Sequence, residues 1–231
     1  MLACYDLGLT PYEPVQKLQA TWRRAVASGA APPVLLLLEH HPVVTLGMRA
    51  DPAACLVEVS PAQDPAPSLP SLPLVRSERG GLATLHAPGQ LISYPIMKLP
   101  RKNLRAYVWK LEEVIVRLLA EFHLQAERWP GSPGVYVERR KIASVGLRCE
   151  RWVASHGTSF NVDPDLTLFE RVVCCGDPSL RQTSLAHLTG HRPRMTDLKR
   201  LYAALFAEVF EISVTAPTAT THEELSALLD V

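Results

Sequence analysis

The chain has 231 residues, of which 47% are hydrophobic and 20% charged, a composition typical of a soluble globular protein and not of a disordered or fibrous one. Its 24 basic and 23 acidic residues give a formal net charge of +1, so bulk charge predicts neither a nucleic-acid partner nor a membrane surface. The longest apolar run, residues 34–38, is far shorter than the roughly 20 residues that span a bilayer. We therefore expect no membrane segment, and the first residues predict no export signal.

The first half of the chain predicts helices and strands in alternation. Pro11 starts a helical pattern of apolar residues that Gly29 ends, which predicts a helix over 11–28. Short strands are predicted at 34–39, 43–46, 75–81, 83–85 and 91–96. The proline-rich residues 58–75 predict an exposed loop, more consistent with a tolerated insertion than with a lid.

The second half begins with the clearest helix, predicted over 104–122 with Asn103 as its N-cap. A hairpin of strands 134–137 and 141–147 follows, and then a strand near 152–161. A helix from Thr196 and a capping box at Thr221 and Glu224 predict a helical C-terminal tail over about 196–231. Strands beside helices, with no repeat of fixed period, predict an α/β fold, and the length suits one domain or one large domain with a small appendage.

Cysteine is the first candidate for chemistry. The chain has five cysteines, Cys4, Cys55, Cys149, Cys174 and Cys175. Because their number is odd and none are in CxxC spacing, neither a disulfide framework nor a zinc ribbon fits them. This predicts a reducing, cytoplasmic compartment. Cys174 and Cys175 precede Gly176 in a turn-like stretch that can expose a thiol. A reactive thiol needs a neighbour that stabilises its thiolate or removes its proton, and the candidates are Lys141 and the histidines.

Two polar segments could supply such neighbours. Lys141 is the last of three basic residues and precedes small residues typical of a strand that approaches a ligand closely. The alternative is a solvated charge, since most lysines in hairpins are solvated, and Arg139 and Arg140 are expected to be solvated. His86 lies between a Gly pair and a Pro-Gly turn, where backbone N–H groups can line a site, although a structural histidine in a hairpin is the alternative.

Cofactor and metal motifs are missing from the sequence. Neither glycine-rich segment has a phosphate-binding pattern, so no nucleotide and no other cofactor is predicted. His40 and His41 are adjacent and cannot easily face one metal ion, and no HExxH or paired-carboxylate motif occurs. No metal site is predicted.

Three blocks occur in order along the chain: RGGLATLHAPGQLISYPI at 79–96, RRKIASVGLR with HGTSFNV within 139–162, and RVVCCG at 171–176. Together they resemble the octanoyltransferases, or lipoyl(octanoyl) transferases, of lipoate biosynthesis. The resemblance implies a lipoate/biotin protein ligase-like fold of the α/β (α+β) class, a single catalytic domain over 1–231 in which mixed sheets are flanked by helices. It also implies an acyltransferase that moves an octanoyl group from octanoyl-acyl carrier protein to a lysine. The implied acceptors are lipoyl domains of 2-oxoacid dehydrogenase E2 subunits and glycine cleavage H protein.

The resemblance also implies the site. Cys175 matches the cysteine that carries the acyl group as a thioester, and Lys141 matches the lysine that tunes this thiol. The residues implied to line the acyl and substrate site are Arg79, Gly80, Gly81, Leu82, Ala83, Thr84, Leu85, His86, Ser144, Val145, Gly146, His156, Gly157, Thr158 and Ser159. Cys174 stands where the family usually has proline, and Ala87 stands where it usually has glycine.

The proposed chemistry leads us to expect an oxyanion hole, an acyl tunnel and a basic rim. Backbone N–H groups near Gly176 and the Gly80–Gly81 turn are candidates for an oxyanion hole. An apolar acyl tunnel is expected with walls from Leu82, Leu85, Val145 and Leu147. A basic rim for an acidic carrier protein is expected at Arg76, Arg79, Arg101, Lys102 and Arg105, against the alternative of scattered solubilising charge.

Other functions stay open. A cysteine thioesterase or amidase would pass the same acyl-cysteine to water. An ATP-dependent lipoate or biotin ligase would form an adenylate, and a non-catalytic lipoyl-domain binding module would keep the fold without the chemistry, which the presence of both Cys175 and Lys141 argues against.

Overall fold

A computed structural model describes residues 1–54, 72–99, 101–173, 176–177 and 179–229. Five α-helices are described: α1 Tyr12–Ser28, α2 Leu104–Ala120, α3 Leu185–Thr189, α4 Met195–Phe210 and α5 His222–Ala227. The strands are β1 Ala3–Thr10, β2 Val34–His40, β3 Val43–Leu46, β4 Leu74–Arg76, β5 Ala83–His86, β6 Gln90–Lys98, β7 Glu127–Trp129, β8 Ser132–Val137, β9 Arg140–Glu150, β10 Val153–Asn161 and β11 Thr218–Ala219. Within these described ranges, no helix combines the length and the apolarity needed to cross a membrane.

The strands form two sheets. The larger has eight strands in the order β11-β1-β2-β6-β10-β9-β8-β7, in which β1 pairs in parallel with β11 and β2 and the other pairs are antiparallel. The smaller has the order β4-β3-β5, with β3 parallel to β4 and antiparallel to β5. The mixed sheets with flanking helices confirm the predicted α+β class.

Both faces of the large sheet are covered, because successive side chains of a strand point to opposite faces. In β2, Leu35 and Leu37 join the core under α2 and α4, whereas Leu36 and Leu38 join the core under α1. A strand buried on both faces reads as a continuous apolar run, which explains the sequence of residues 34–38.

The predicted helix boundaries agree closely with the structure. Gly29 ends α1 in the left-handed conformation with φ of 81°, and Asn103 caps α2 by accepting a hydrogen bond from the Ala106 N–H at 3.0 Å. The capping box of Thr221 and Glu224 is also present at the start of α5.

Three boundary predictions are wrong. The strand predicted over 75–81 ends at Arg76, since Arg79 turns inward to Thr45. The loop predicted over 58–75 lies mostly outside the described residues, but its described end pairs with β3 as β4. The tail predicted as helical over 196–231 is interrupted at Glu211, which ends α4 with φ of 58°, and β11 then extends the sheet beside β1.

Candidate active site

The predicted site segments surround one cavity of about 60 Å³. Its walls come from residues 79–84 and His86, from 144–146 of β9 and from 156–159 of β10, with Tyr94 and Lys141 completing them. The structure thus brings together all the substrate-site residues implied by the resemblance except Leu85, which is buried in a separate apolar cluster around the small sheet. Tyr94 was missed; its only signal was a hydroxyl within the apolar run of β6.

Arg79 anchors the first wall of the cavity from inside the protein. It is only 7% exposed, and its guanidinium donates hydrogen bonds to the Thr45 carbonyl at 2.6 Å and to the Thr45 hydroxyl at 2.8 Å. It therefore cannot belong to the predicted basic rim, because a guanidinium turned into the protein cannot meet a docked partner.

Gly80 does not contribute to the expected oxyanion hole. Its N–H donates to the Leu147 carbonyl at 2.7 Å and is not available to substrate. Leu147 itself packs against the main core and does not line the cavity, so the predicted tunnel walls reduce to Leu82 and Val145.

An irregularity in β10 directs His156 into the cavity. His156 has φ of 57°, in the left-handed region that non-glycine residues rarely adopt. In the pairing of β10 with β6, His156 lies opposite Pro95, which has no N–H to donate to the sheet. The N–H of His156 donates instead to the buried Gln19 side chain of α1 at 2.7 Å. Gln19 is a supporting residue that sequence reasoning missed, because it matches the helical pattern without a motif.

Histidines and tyrosines form a buried aromatic cluster behind the cavity. His40 donates from Nδ1 to the Thr10 carbonyl at 2.9 Å, since a carbonyl only accepts, and its Nε2, 3.1 Å from the Tyr94 hydroxyl, accepts in return. The rings of Tyr94 and His156 meet edge to face with centroids 5.8 Å apart, and those of His40 and His86 are 5.6 Å apart.

Burial keeps these imidazoles neutral. It lowers the pKa of His40 to about 4 and, together with Arg79 and Arg23, the pKa of His156 to about 3. Burial also holds the pKa of His86 well below its usual range, with His40 and Arg79 acting in the same direction. His86 Nδ1 is buried without a hydrogen-bond partner among the described residues. The cavity therefore offers uncharged rings, which suit a substrate without a charge at that end.

Lys141 is buried as well, at 1% exposure, unlike the exposed Arg139 and Arg140 on the same hairpin. The register of β8 and β9 shifts between Val135 and Tyr136, and this bulge turns Lys141 towards the cavity. Its Nζ lies 5.4 Å from the centre of the Tyr136 ring, a cation–π contact.

The segment that follows the predicted cysteine is hydrogen-bonded to the backbone of Lys141. The Lys141 N–H donates to the Arg181 carbonyl and its carbonyl accepts from the Thr183 N–H, both at 2.9 Å. Asn161 at the end of β10 braces this junction, since its amide donates to the Thr183 carbonyl at 2.9 Å and accepts from Gln90 at 2.8 Å.

Cys175 and Cys174 lie outside the described residues. Their neighbour Gly176 is described, and a Cβ built on it would lie 2.6 Å from Cδ1 of Leu82, a residue of the cavity wall. Gly176 therefore touches the cavity's own lining. The described cysteines, Cys4 and Cys149, are free and do not line the cavity.

The chain is similar to known proteins over most of its length. Residues 11–215 match the family described as the lipoyl protein ligase A/B catalytic domain. The octanoyltransferase of Nitratidesulfovibrio vulgaris is 41% identical over 216 residues, which cover 91% of this chain and 95% of that protein. The octanoyltransferase of Gloeobacter violaceus is 46% identical over 175 residues, 73% of each.

Solved structures show the same fold at low identity. Lipoate-protein ligase A bound with ATP superimposes with a TM-score of 0.74 at 16% identity, covering 100% of this chain and 95% of that one. A bipartite lipoate protein ligase from Thermoplasma acidophilum, from a study that includes its E2 lipoyl domain, gives 0.72 at 16% identity, covering 100% and 92%. These likenesses confirm the predicted ligase-like fold.

Proposed function

Because this chain belongs to the octanoyltransferases, within the lipoyl protein ligase A/B catalytic domain family, we propose that it moves an octanoyl group from octanoyl-acyl carrier protein to a lysine of lipoyl domains through a thioester on Cys175. The observation that carries the proposal is the meeting of Lys141 with residues 79–84, His86 and residues 156–159 around one cavity. The contact of Gly176 with Leu82 supports a position for Cys175 at the same cavity.

Two exchanges at one carbon make up the proposed reaction. The Cys175 sulfur attacks the carbonyl carbon of the carrier thioester; a new carbon–sulfur bond forms, and the bond to the carrier thiol breaks. The lysine amine of the lipoyl domain then attacks the same carbon, an amide forms, and Cys175 leaves as a thiolate that takes up a proton. Exchange of one thioester for another is close to thermoneutral, so no nucleotide is needed.

Lys141 has two chemically distinct roles open to it in these steps. As an ammonium it stabilises the Cys175 thiolate, and as a neutral amine it removes the proton of the thiol or of the attacking lysine. The proposed oxyanion hole now depends on N–H groups other than that of Gly80, since Gly80 is committed to Leu147.

The apolar residues of the cavity wall support an acyl chain as substrate. The cavity has a volume of about 60 Å³. Burial of six or seven methylenes is worth about 5 kcal/mol, which Leu82 and Val145 can provide in part.

The proposed partners are octanoyl-acyl carrier protein as donor, and lipoyl domains of 2-oxoacid dehydrogenase E2 subunits and glycine cleavage H protein as acceptors. Arg76, Arg101, Lys102 and Arg105 are exposed and are proposed to contact the acidic carrier. The apparent affinity for the carrier should then fall as salt rises, because salt screens exposed charges. The reducing cytoplasm stays the predicted compartment.

Mass spectrometry tests the proposal. Incubation with octanoyl-acyl carrier protein should add one octanoyl group, mapped to Cys175, to the wild type and to Cys174→Ala but not to Cys175→Ala. Label on Cys174 or on no residue would overturn the thioester assignment. Water as the final acceptor would favour the thioesterase, and an adenylate formed from ATP and a free acid would favour the ligase.

A further inference from the structure

A buried carboxylate on α2 has no role in the reaction as described. Glu112 is only 7% exposed, although it lies among the apolar residues with which α2 faces the sheet, such as Leu111 and Ile115. Burial of a charged group is costly unless it is paired and hydrogen-bonded, so the position calls for partners that need this charge.

The first partner of Glu112 is the backbone of β8. Its Oε1 accepts a hydrogen bond from the Gly134 N–H at 2.8 Å, and its Oε2 lies 3.6 Å from Nε of Arg128. Arg128 is shared, because its Nη2 donates to the neighbouring Glu113. The carboxylate is therefore held firmly on one oxygen and loosely on the other.

Gly134 separates Glu112 from Lys141. A Cβ built on Gly134, whose φ is 141°, would lie 2.6 Å from Lys141 Cε and 3.2 Å from Lys141 Nζ. The lysine side chain thus crosses the backbone of the residue whose N–H is bound by the carboxylate. The absence of a side chain at Gly134 makes this crossing possible.

The charges of the two side chains act on each other. Burial raises the pKa of Glu112, and the Gly134 N–H, Arg128 and Lys141 each oppose that rise by favouring the carboxylate. Among the described residues, the titratable or charged side chains around Lys141 include Tyr136 of β8, Glu112 of α2 and Arg128 beside Glu112. Arg79, His86 and His156 line the same cavity, and Arg181 contacts Lys141 through its backbone.

We propose that Glu112 is a positioning residue that holds Lys141 across Gly134 and favours its ammonium form. The inference rests on the proposed function, and it selects one of the two roles open to Lys141. Lys141 acts as a fixed cation that stabilises the Cys175 thiolate, and the proton of the attacking lysine passes to that thiolate as it leaves.

Removal of the charge at Glu112 tests this role. Glu112→Gln keeps an oxygen for the Gly134 N–H and loses only the negative charge, so the ammonium is favoured less. We expect the alkaline limb of the pH–rate profile for octanoyl transfer to move down by roughly one pH unit. Turnover should then be about ten-fold slower at pH 9, within two-fold of wild type at pH 6.5, with an unchanged KM for the lipoyl domain.

Two further variants make the test independent of whether Glu112→Gln folds well. Arg128→Gln removes the cation that competes for Glu112, and it should move the same limb in the opposite direction. Glu121→Gln removes an exposed carboxylate at the C-terminal end of the same helix and should leave the profile unchanged.

The outcomes separate this inference from the function on which it rests. If Lys141→Ala transfers octanoyl groups at the wild-type rate, the proposed Cys175–Lys141 pair fails. If Lys141→Ala is inactive but Glu112→Gln follows the wild-type profile, or is slowed equally at every pH, Glu112 is a structural residue only and the inference is wrong.

Discussion

Gly157 is the residue that allows β10 to present His156 to the cavity. A Cβ built on it would lie 2.2 Å from the Ser93 carbonyl oxygen and 2.8 Å from Cδ of Pro95. The Ser93 carbonyl and the Pro95 ring belong to the adjacent strand β6, so neither can move without disturbing the sheet. The glycine in the HGTSFN block is thus explained by close packing of two strands.

Substitution of Gly157 by alanine should therefore disturb both stability and transfer. We expect Gly157→Ala to lower the free energy of unfolding by about 3 kcal/mol, as overpacking does, and to reduce octanoyl transfer by more than ten-fold. Gly131→Ala is the control, because Gly131 has nothing within 4 Å of a built Cβ and only its φ of 81° resists the change. Urea unfolding and transfer assays measure both; equal effects of the two substitutions would show that close packing at Gly157 is unimportant.

At the scale of elements, one amide side chain connects three segments of the site. Asn161 ends β10, contacts Gln90 at the start of β6, and holds the carbonyl of Thr183. Thr183 in turn donates to the Lys141 carbonyl. The position of Lys141 relative to the wall of the cavity therefore depends on a hydrogen-bond chain that starts one strand away.

Asn161→Ala should break this chain. Loss of two buried hydrogen bonds, with partners left unpaired, is expected to cost about 2 to 4 kcal/mol of stability and to lower kcat by more than ten-fold. Asn103→Ala, which removes only the exposed N-cap of α2, should cost about 1 kcal/mol and leave kcat unchanged. Denaturant unfolding with steady-state transfer assays compares the two, and wild-type kcat in Asn161→Ala would rule out the bracing role.

The elements that sequence predicted well are those whose pattern is local. The heptad-like apolar spacing of α2 and the Asn103 cap sufficed for its start, and the apolar run at 34–38 sufficed for β2. β1 was missed because its pairing with β2 shifts register between Asp6 and Leu9, so its burial does not alternate. Gly8 at this shift has φ of 62°.

Long-range contacts of the site were beyond sequence reasoning. The motif blocks identified the residues around the cavity, but Gln19 contacts His156 across 137 positions of chain, and Glu112 contacts Gly134 across 22. Neither residue differs in sequence from an ordinary polar residue on a helix. Arg79 shows the converse, since a charged side chain expected at the surface is buried by its bonds to Thr45.

For the whole molecule, the buried histidines link stability to pH. His40, His86 and His156 are neutral in the fold, whereas each takes up a proton below about pH 6.5 once unfolded. Their contribution to the free energy of unfolding is therefore complete above pH 6.5. It is lost as the pH falls towards 4, because the unfolded state binds more protons than the folded state in that range.

Unfolding at several pH values checks this linkage. We expect the free energy of unfolding to fall by about 3 kcal/mol between pH 6 and pH 5. His40→Gln should reduce that slope by about one third, and His41→Gln, at the exposed neighbouring position, should leave it unchanged. A stability that is flat from pH 6.5 to 5 would contradict the burial of neutral histidines.

The most direct test of transfer through Cys175 follows the octanoyl group from the enzyme to its acceptor. Octanoyl enzyme, freed of carrier protein and labelled on Cys175, is mixed with a lipoyl domain, and the label is followed within one turnover. The octanoyl group is expected to appear on the acceptor lysine at least as fast as steady-state turnover. Label that stays on Cys175 or is released to water, while the complete system continues to turn over, would contradict it.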